Sequence, residues 1–188
     1  AELESIADQV KSSGKLFSAV ISTSFGCPFE GEIATSAVID IGQRLEQAGV
    51  DEVLLADTIG CAVPSQVRER VIALQAALDP SIGIGCHFHN TRNTGIANAV
   101  AAIESGVRIL DASVGGIGGC PFAPRATGNI ATEDLCYLLR NMGYETGIDL
   151  AGLVDVAKWV EQYFDQPLPG QVMKAGLFPD DVLAERVA

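Results

Sequence analysis

Within GIGCHFHNT (83–91) stand the only two histidines of a 188-residue chain, His87 and His89. On a β-strand, side chains alternate between faces, so residues two apart share a side with about 7 Å between them. The apolar, glycine-punctuated run Ile82, Ile84, Cys86 that leads into them reads as a strand over 82–89. Both imidazoles then converge at its C-terminal end. A His-x-His pair so placed can give two nitrogen ligands to one divalent cation. The plainer alternative is two histidines that hydrogen-bond or face solvent separately.

Other residues of chemical interest fall at comparable places. Asp57 ends the apolar run EVLLAD, where a carboxylate needs a partner to be buried; it is either a site carboxylate or a cap for the turn that follows. Cys120 lies in the glycine-rich stretch 115–121, where a thiol can reach substrate as acid or base, although most cysteines are core fillers. Asn129 is a helix N-cap or a hard oxygen ligand, and Glu133, one turn on, either answers the helix dipole or holds a ligand residue in place. Arg92 and Arg125 stand in loops of a strongly acidic chain, as candidates for a substrate carboxylate or phosphate. Cys27, Cys61, Cys86 and Cys136 read as packing residues.

The elements that must position these groups follow from periodicity and punctuation. Helical stripes run over 2–12, from 34 or 35 to 48, from Pro64 to before Asp79-Pro80, and over 94–105, 130–141 and 150–164. Strands are expected over 15–23, 52–57, 82–89 and 108–114. Strand-helix units in succession require parallel strands with helical crossovers, so the class is α/β. Either an open doubly wound sheet or part of a (β/α)8 barrel fits, and in both the ligand site lies at the C-terminal ends of the strands. Cys27, Asp57, His87, His89 and Cys120 all map there.

Composition narrows the function classes. Apolar residues make up 48% and aromatics 6%, so the core must be aliphatic, as buried parallel strands require. A net charge of −12 argues against nucleic acid or an anionic membrane as partner. Five cysteines without CxxC spacing point away from a disulfide framework and toward a reducing, cytoplasmic setting. No apolar run approaches the length of a membrane span.

The stretches FGCPFEGEI (25–33), LADTIGCAVP (55–64), CHFHNT (86–91), DASVGGIGGCPFAPRATGN (111–129) and ATEDL (131–135) together resemble the 3-hydroxy-3-methylglutaryl-CoA lyase family of metal-dependent carbon-carbon lyases on TIM barrels. The resemblance implies that His87, His89 and Asn129 are ligands of Mg²⁺ or Mn²⁺. It further implies that Cys120 is the catalytic cysteine of a glycine-rich loop, with Asp57 and Glu133 as further active-site carboxylates. The implied reaction is a retro-aldol, Claisen-type cleavage of a 3-hydroxyacyl-CoA, as of 3-hydroxy-3-methylglutaryl-CoA to acetyl-CoA and acetoacetate, a reaction of leucine degradation.

Two departures shape the expectation. The family's first strand carries an Arg-Asp pair, the Asp a metal ligand, and nothing here matches it. The chain aligns with strands five to eight, so residues 1–188 are expected to form one partial barrel domain in which 149–188 is a C-terminal helical extension. It is expected to act with an N-terminal half-barrel or as a homo-oligomer; a catalytically incomplete fragment or assembly subunit is the alternative. Secondly, His-Phe-His-Asn-Thr-Arg replaces the family's His-Cys-His-Asp-Thr-Tyr, and Arg92 suits a more carboxylated acyl-CoA.

Overall fold

The computed structural model describes residues 2–119 and 128–178, which fall into two compact units. The first, ending at Asp111, opens with helix α1 (Glu2–Ser12) and continues β1 (Ser18–Ile21), α2 (Thr35–Ala48), β2 (Glu52–Asp57), α3 (Pro64–Ala77), β3 (Gly83–Phe88), α4 (Gly95–Glu104) and β4 (Ile109–Asp111). All strand pairs are parallel, and the order across the sheet is β1-β2-β3-β4. A doubly wound sheet reverses its strand order at a switch point, and this one does not. Strands laid down in sequence order, with α2 packed on α3 and α3 on α4, are the winding of a (β/α)8 barrel, here part of one.

Local chemistry explains the crossovers. Gly49, at φ 85°, takes the left-handed conformation that ends α2, and its N–H returns to the carbonyls of Leu45 and Glu46. Pro64 occupies the first turn of α3, where no N–H is needed. Gly42 of α2 faces Leu74 of α3, which would stand only 2.6 Å from a Cβ there, so glycine lets the two helices close up. Val67, Val71 and Leu74 form the buried stripe of α3.

Strand register divides the sheet into two faces. Leu55 pairs with Cys86 and Asp57 with Phe88, and all four are 0 or 1% exposed, beneath the helices. Leu54, Gly85 and Ile109 lie on the opposite face, where a Cβ on Gly85 would meet Leu54 at 2.7 Å and Ile109 at 3.0 Å. That alternation of large and small residues fills a barrel layer. His87 follows Gly85 on this face, two residues nearer the C-terminal end.

The second unit comprises 112–119 and 128–178, with α5 (Thr132–Asn141), α6 (Leu150–Phe164) and α7 (Val172–Ala175). Its core gathers Val154, Ala157, Leu168, Val172 and Met173, with Val114 and Ile117 packed on it. Asp149 caps α6 by accepting the N–H of Ala151 at 3.2 Å. The strand expected over 108–114 is shorter than its composition suggests, because the chain enters a 3-10 turn (Val114–Gly116) in which Gly115 and Gly116 have φ of 65° and 72°. Among the described residues no helix is long and apolar enough to cross a membrane.

Candidate active site

Alternation brings the two imidazoles together as the spacing requires. Their ring centroids lie 5.1 Å apart with the planes at 66°. His87 is partly exposed and its Nδ1 stands 3.0 Å from Oδ1 of Asp111, the last residue of β4. Sequence reading missed Asp111; the signal was an acidic residue ending the strand after the histidine strand. His89 is buried, and its Nδ1 has no hydrogen-bond partner. Burial, with the neighbouring His87, holds the His89 imidazole below the ordinary histidine range, which favours the neutral ring that ligates metals.

Asp57 sits at the end of β2, on the side of the pleat opposite His87. Its Oδ1 accepts the N–H of Cys61 at 2.8 Å and its Oδ2 that of Ala62 at 3.1 Å, so the carboxylate ties down the β2–α3 loop. Burial pushes its pKa up, against the pull of these N–H groups and of the Arg92 charge. Two further side chains hold the same loop. Nη1 of Arg92 donates to the carbonyls of Ile59 (2.9 Å) and Gly60 (3.0 Å), and the fully buried Asn98 donates to the carbonyl of Ala62 at 2.9 Å. Asp57→Ala strands the buried Ala62 N–H and is expected to cost about 1–3 kcal/mol for that group alone. Urea unfolding with a lowered midpoint and an unchanged slope checks it.

The second unit positions Asn129 and Glu133. Nδ2 of Asn129 donates to the carbonyl of Ile117 at 2.8 Å, which leaves Oδ1 buried and unpartnered. Gly118, at φ 121°, presses on that amide: a Cβ there would come within 2.5 Å of Nδ2. Glu133, fully buried in the first turn of α5, accepts the Gly115 N–H on Oε2 at 3.0 Å and fixes the start of the glycine-rich stretch. Its Oε1 packs against Gly170 without a hydrogen-bond partner, and burial raises its pKa. Cys120 and Arg125 lie outside the described residues. Cys86, wholly buried, has its thiol pushed up to about 12, and Cys61 is pushed up to about 11, chiefly by burial, so both are protonated at neutral pH.

Each unit carries a donor atom of a kind that suits a hard or borderline divalent cation. A buried imidazole nitrogen and a buried amide oxygen without partners are costly to leave unmade, and both are metal-ligating atoms. Among the described residues no group of three His, Cys, Asp or Glu side chains could hold a metal.

Known proteins resemble the chain over most of its length. The (R)-citramalyl-CoA lyase of Chloroflexus aurantiacus is 45% identical over 175 residues, covering 93% of this chain and 55% of that protein. The hydroxymethylglutaryl-CoA lyase of Bacillus subtilis is 44% identical over 153 residues, covering 81% of this chain and 51% of its own length. The solved structure of an HMG-CoA lyase from Acinetobacter baumannii, in complex with coenzyme A and 3-methylmalate, superposes with a TM-score of 0.86 at 39% identity, over 94% of this chain and 57% of that one. The chain thus spans about half the length of the curated relatives it matches. The HMGL-like family model matches residues 2–160, and the chain belongs to that family.

Proposed function

We propose that the chain supplies the C-terminal half of the active site of a divalent-metal-dependent acyl-CoA lyase. The observation that carries the reading is the convergence of His87 and His89 at the C-terminal end of β3. His87 and His89, with Asn129 as the resemblance implies, would hold Mg²⁺ or Mn²⁺. When bound, the ion supplies Lewis acidity that lowers the pKa of the substrate's 3-hydroxyl group.

The protein groups do the rest. In the cleavage, the hydroxyl proton passes to a base and the oxygen's electron pair becomes the product's carbonyl. The C2–C3 bond breaks and leaves its pair on the acetyl-CoA enolate, which the Cys120 thiol protonates. Glu133 anchors Gly115, at the start of the segment that carries Cys120. Asp57 secures the loop after β2. Arg125 is assigned to the substrate's charged groups.

A more carboxylated acyl group is the second reading. It is favoured by the match to a citramalyl-CoA lyase over 93% of the chain and by Arg92, whose guanidinium stands beside the loop that Asp57 caps. The test is to titrate Mn²⁺ into the chain, alone and mixed with the N-terminal half of a relative, and to assay cleavage of 3-hydroxy-3-methylglutaryl-CoA and citramalyl-CoA. Cleavage on mixing supports the lyase, and the preferred thioester fixes the acyl group. Absence of Mn²⁺ binding in both preparations leaves a catalytically incomplete fold.

A further inference from the structure

We propose that Asp111 is a positioning residue for His87: its carboxylate fixes the imidazole with the proton on Nδ1, leaving Nε2 bare as the atom offered to a cation. The inference deepens the lyase reading and rests on it for the cation alone.

Strand register is the starting point. His87 and Asp111 are Cα partners on adjacent parallel strands, so their side chains leave the sheet on the same face. The Nδ1 to Oδ1 distance of 3.0 Å is that of a hydrogen bond. A carboxylate oxygen accepts, so a neutral ring making this bond must carry its proton on Nδ1. On its other flank the register partner of His87 is Ala56, which has no polar side-chain atom to compete for the ring. Asp111 therefore selects both the tautomer and the rotation of the imidazole.

The two histidines are consequently not equivalent. His89 is held by burial, with its Nδ1 unpartnered, whereas His87 is less buried and relies on a hydrogen bond from the neighbouring strand. Without that bond the rotation of His87 costs little, and a ligand nitrogen would have to be oriented at the moment of binding. Partners of this kind typically change metal affinity about 10–100-fold when removed.

The test reads the ring itself. With only two histidines in the chain, the ring nitrogens of the ¹⁵N-labelled, metal-free protein give two sets of signals in long-range ¹H–¹⁵N spectra, assigned with His89→Gln. The spectra are taken at about pH 8, above the ordinary imidazole range. His87 is expected as the Nδ1–H tautomer in the wild type and is expected to lose that preference in Asp111→Ala. Asp111→Asn, whose carbonyl oxygen can accept the same bond, retains part of it. The Asp111 side chain is 56% exposed, so circular dichroism should show the fold intact in both variants. Mn²⁺ affinity, measured with an N-terminal half-barrel present, should fall about 10–100-fold in Asp111→Ala and less in Asp111→Asn.

A wild-type His87 protonated on Nε2, or a tautomer that Asp111→Ala leaves unchanged, overturns the inference. If the tautomer behaves as stated and the wild type takes up no Mn²⁺, the orientation by Asp111 stands and the cation reading falls.

Discussion

Replacing His89 with Leu is expected to weaken Mn²⁺ binding by more than the 10–100-fold that marks loss of a residue which only orients a ligand, roughly 10³-fold or beyond. His89 is one of two imidazoles whose centroids lie 5.1 Å apart, and among the described residues no further His, Cys, Asp or Glu completes a three-residue group with them. Loss of one nitrogen therefore halves the nitrogen donor set. Stability should respond in the opposite sense. The buried Nδ1 makes no hydrogen bond within the chain, so Leu, similar in volume, removes an unsatisfied polar atom rather than an interaction. Titration calorimetry and urea unfolding on the same variant separate the two effects. Mn²⁺ affinity kept within a few-fold in His89→Leu would show that the pair does not hold a cation.

Cys120→Ala is expected to lower turnover by about 10²–10⁴-fold, the usual worth of a positioned proton donor, while leaving Mn²⁺ affinity and KM near the wild-type values. Described glycines precede it in the chain. Gly115, Gly116 and Gly118 adopt φ of 65°, 72° and 121°, a path closed to residues with a Cβ at so many consecutive turns. Glu133 anchors the start of that path through Gly115, so the segment departs from a fixed point. A cysteine whose role is confined to protonating the enolate would change kcat alone. Single-turnover assays of the complemented enzyme measure it. Unchanged turnover would remove Cys120 from the reaction.

What was legible in the sequence was local in origin. The bounds of β2, α2 and α6 follow from apolar period and from caps such as Gly49, which act within one turn of the residues they limit. The convergence of His87 and His89 follows from the two-residue repeat of a strand and needed no other element. β4 was overextended because its apolar run continues to Val114, while the backbone turns once the chain reaches two glycines with positive φ. The short helix α7 was also missed: four residues offer no period to read.

Other features exist only through pairing of distant segments. Whether the parallel strands belong to a barrel or to a doubly wound sheet is decided by the order β1-β2-β3-β4, a set of neighbour relations that no single stretch encodes. Arg92 and Asn98 meet the loop after β2 across gaps of more than thirty residues, and Asp111 reaches His87 across 24, at a distance set by strand register. The sequence by itself determined the alternating pair of imidazoles, the strand-helix rhythm and the acidic, aliphatic character of the chain, because each is a property of neighbouring residues. Only the tertiary structure decided the partner of His87, the role of Asp57 as a loop tie and the winding of the sheet, because hydrogen bonds between strands depend on register, and register is fixed when the strands pack.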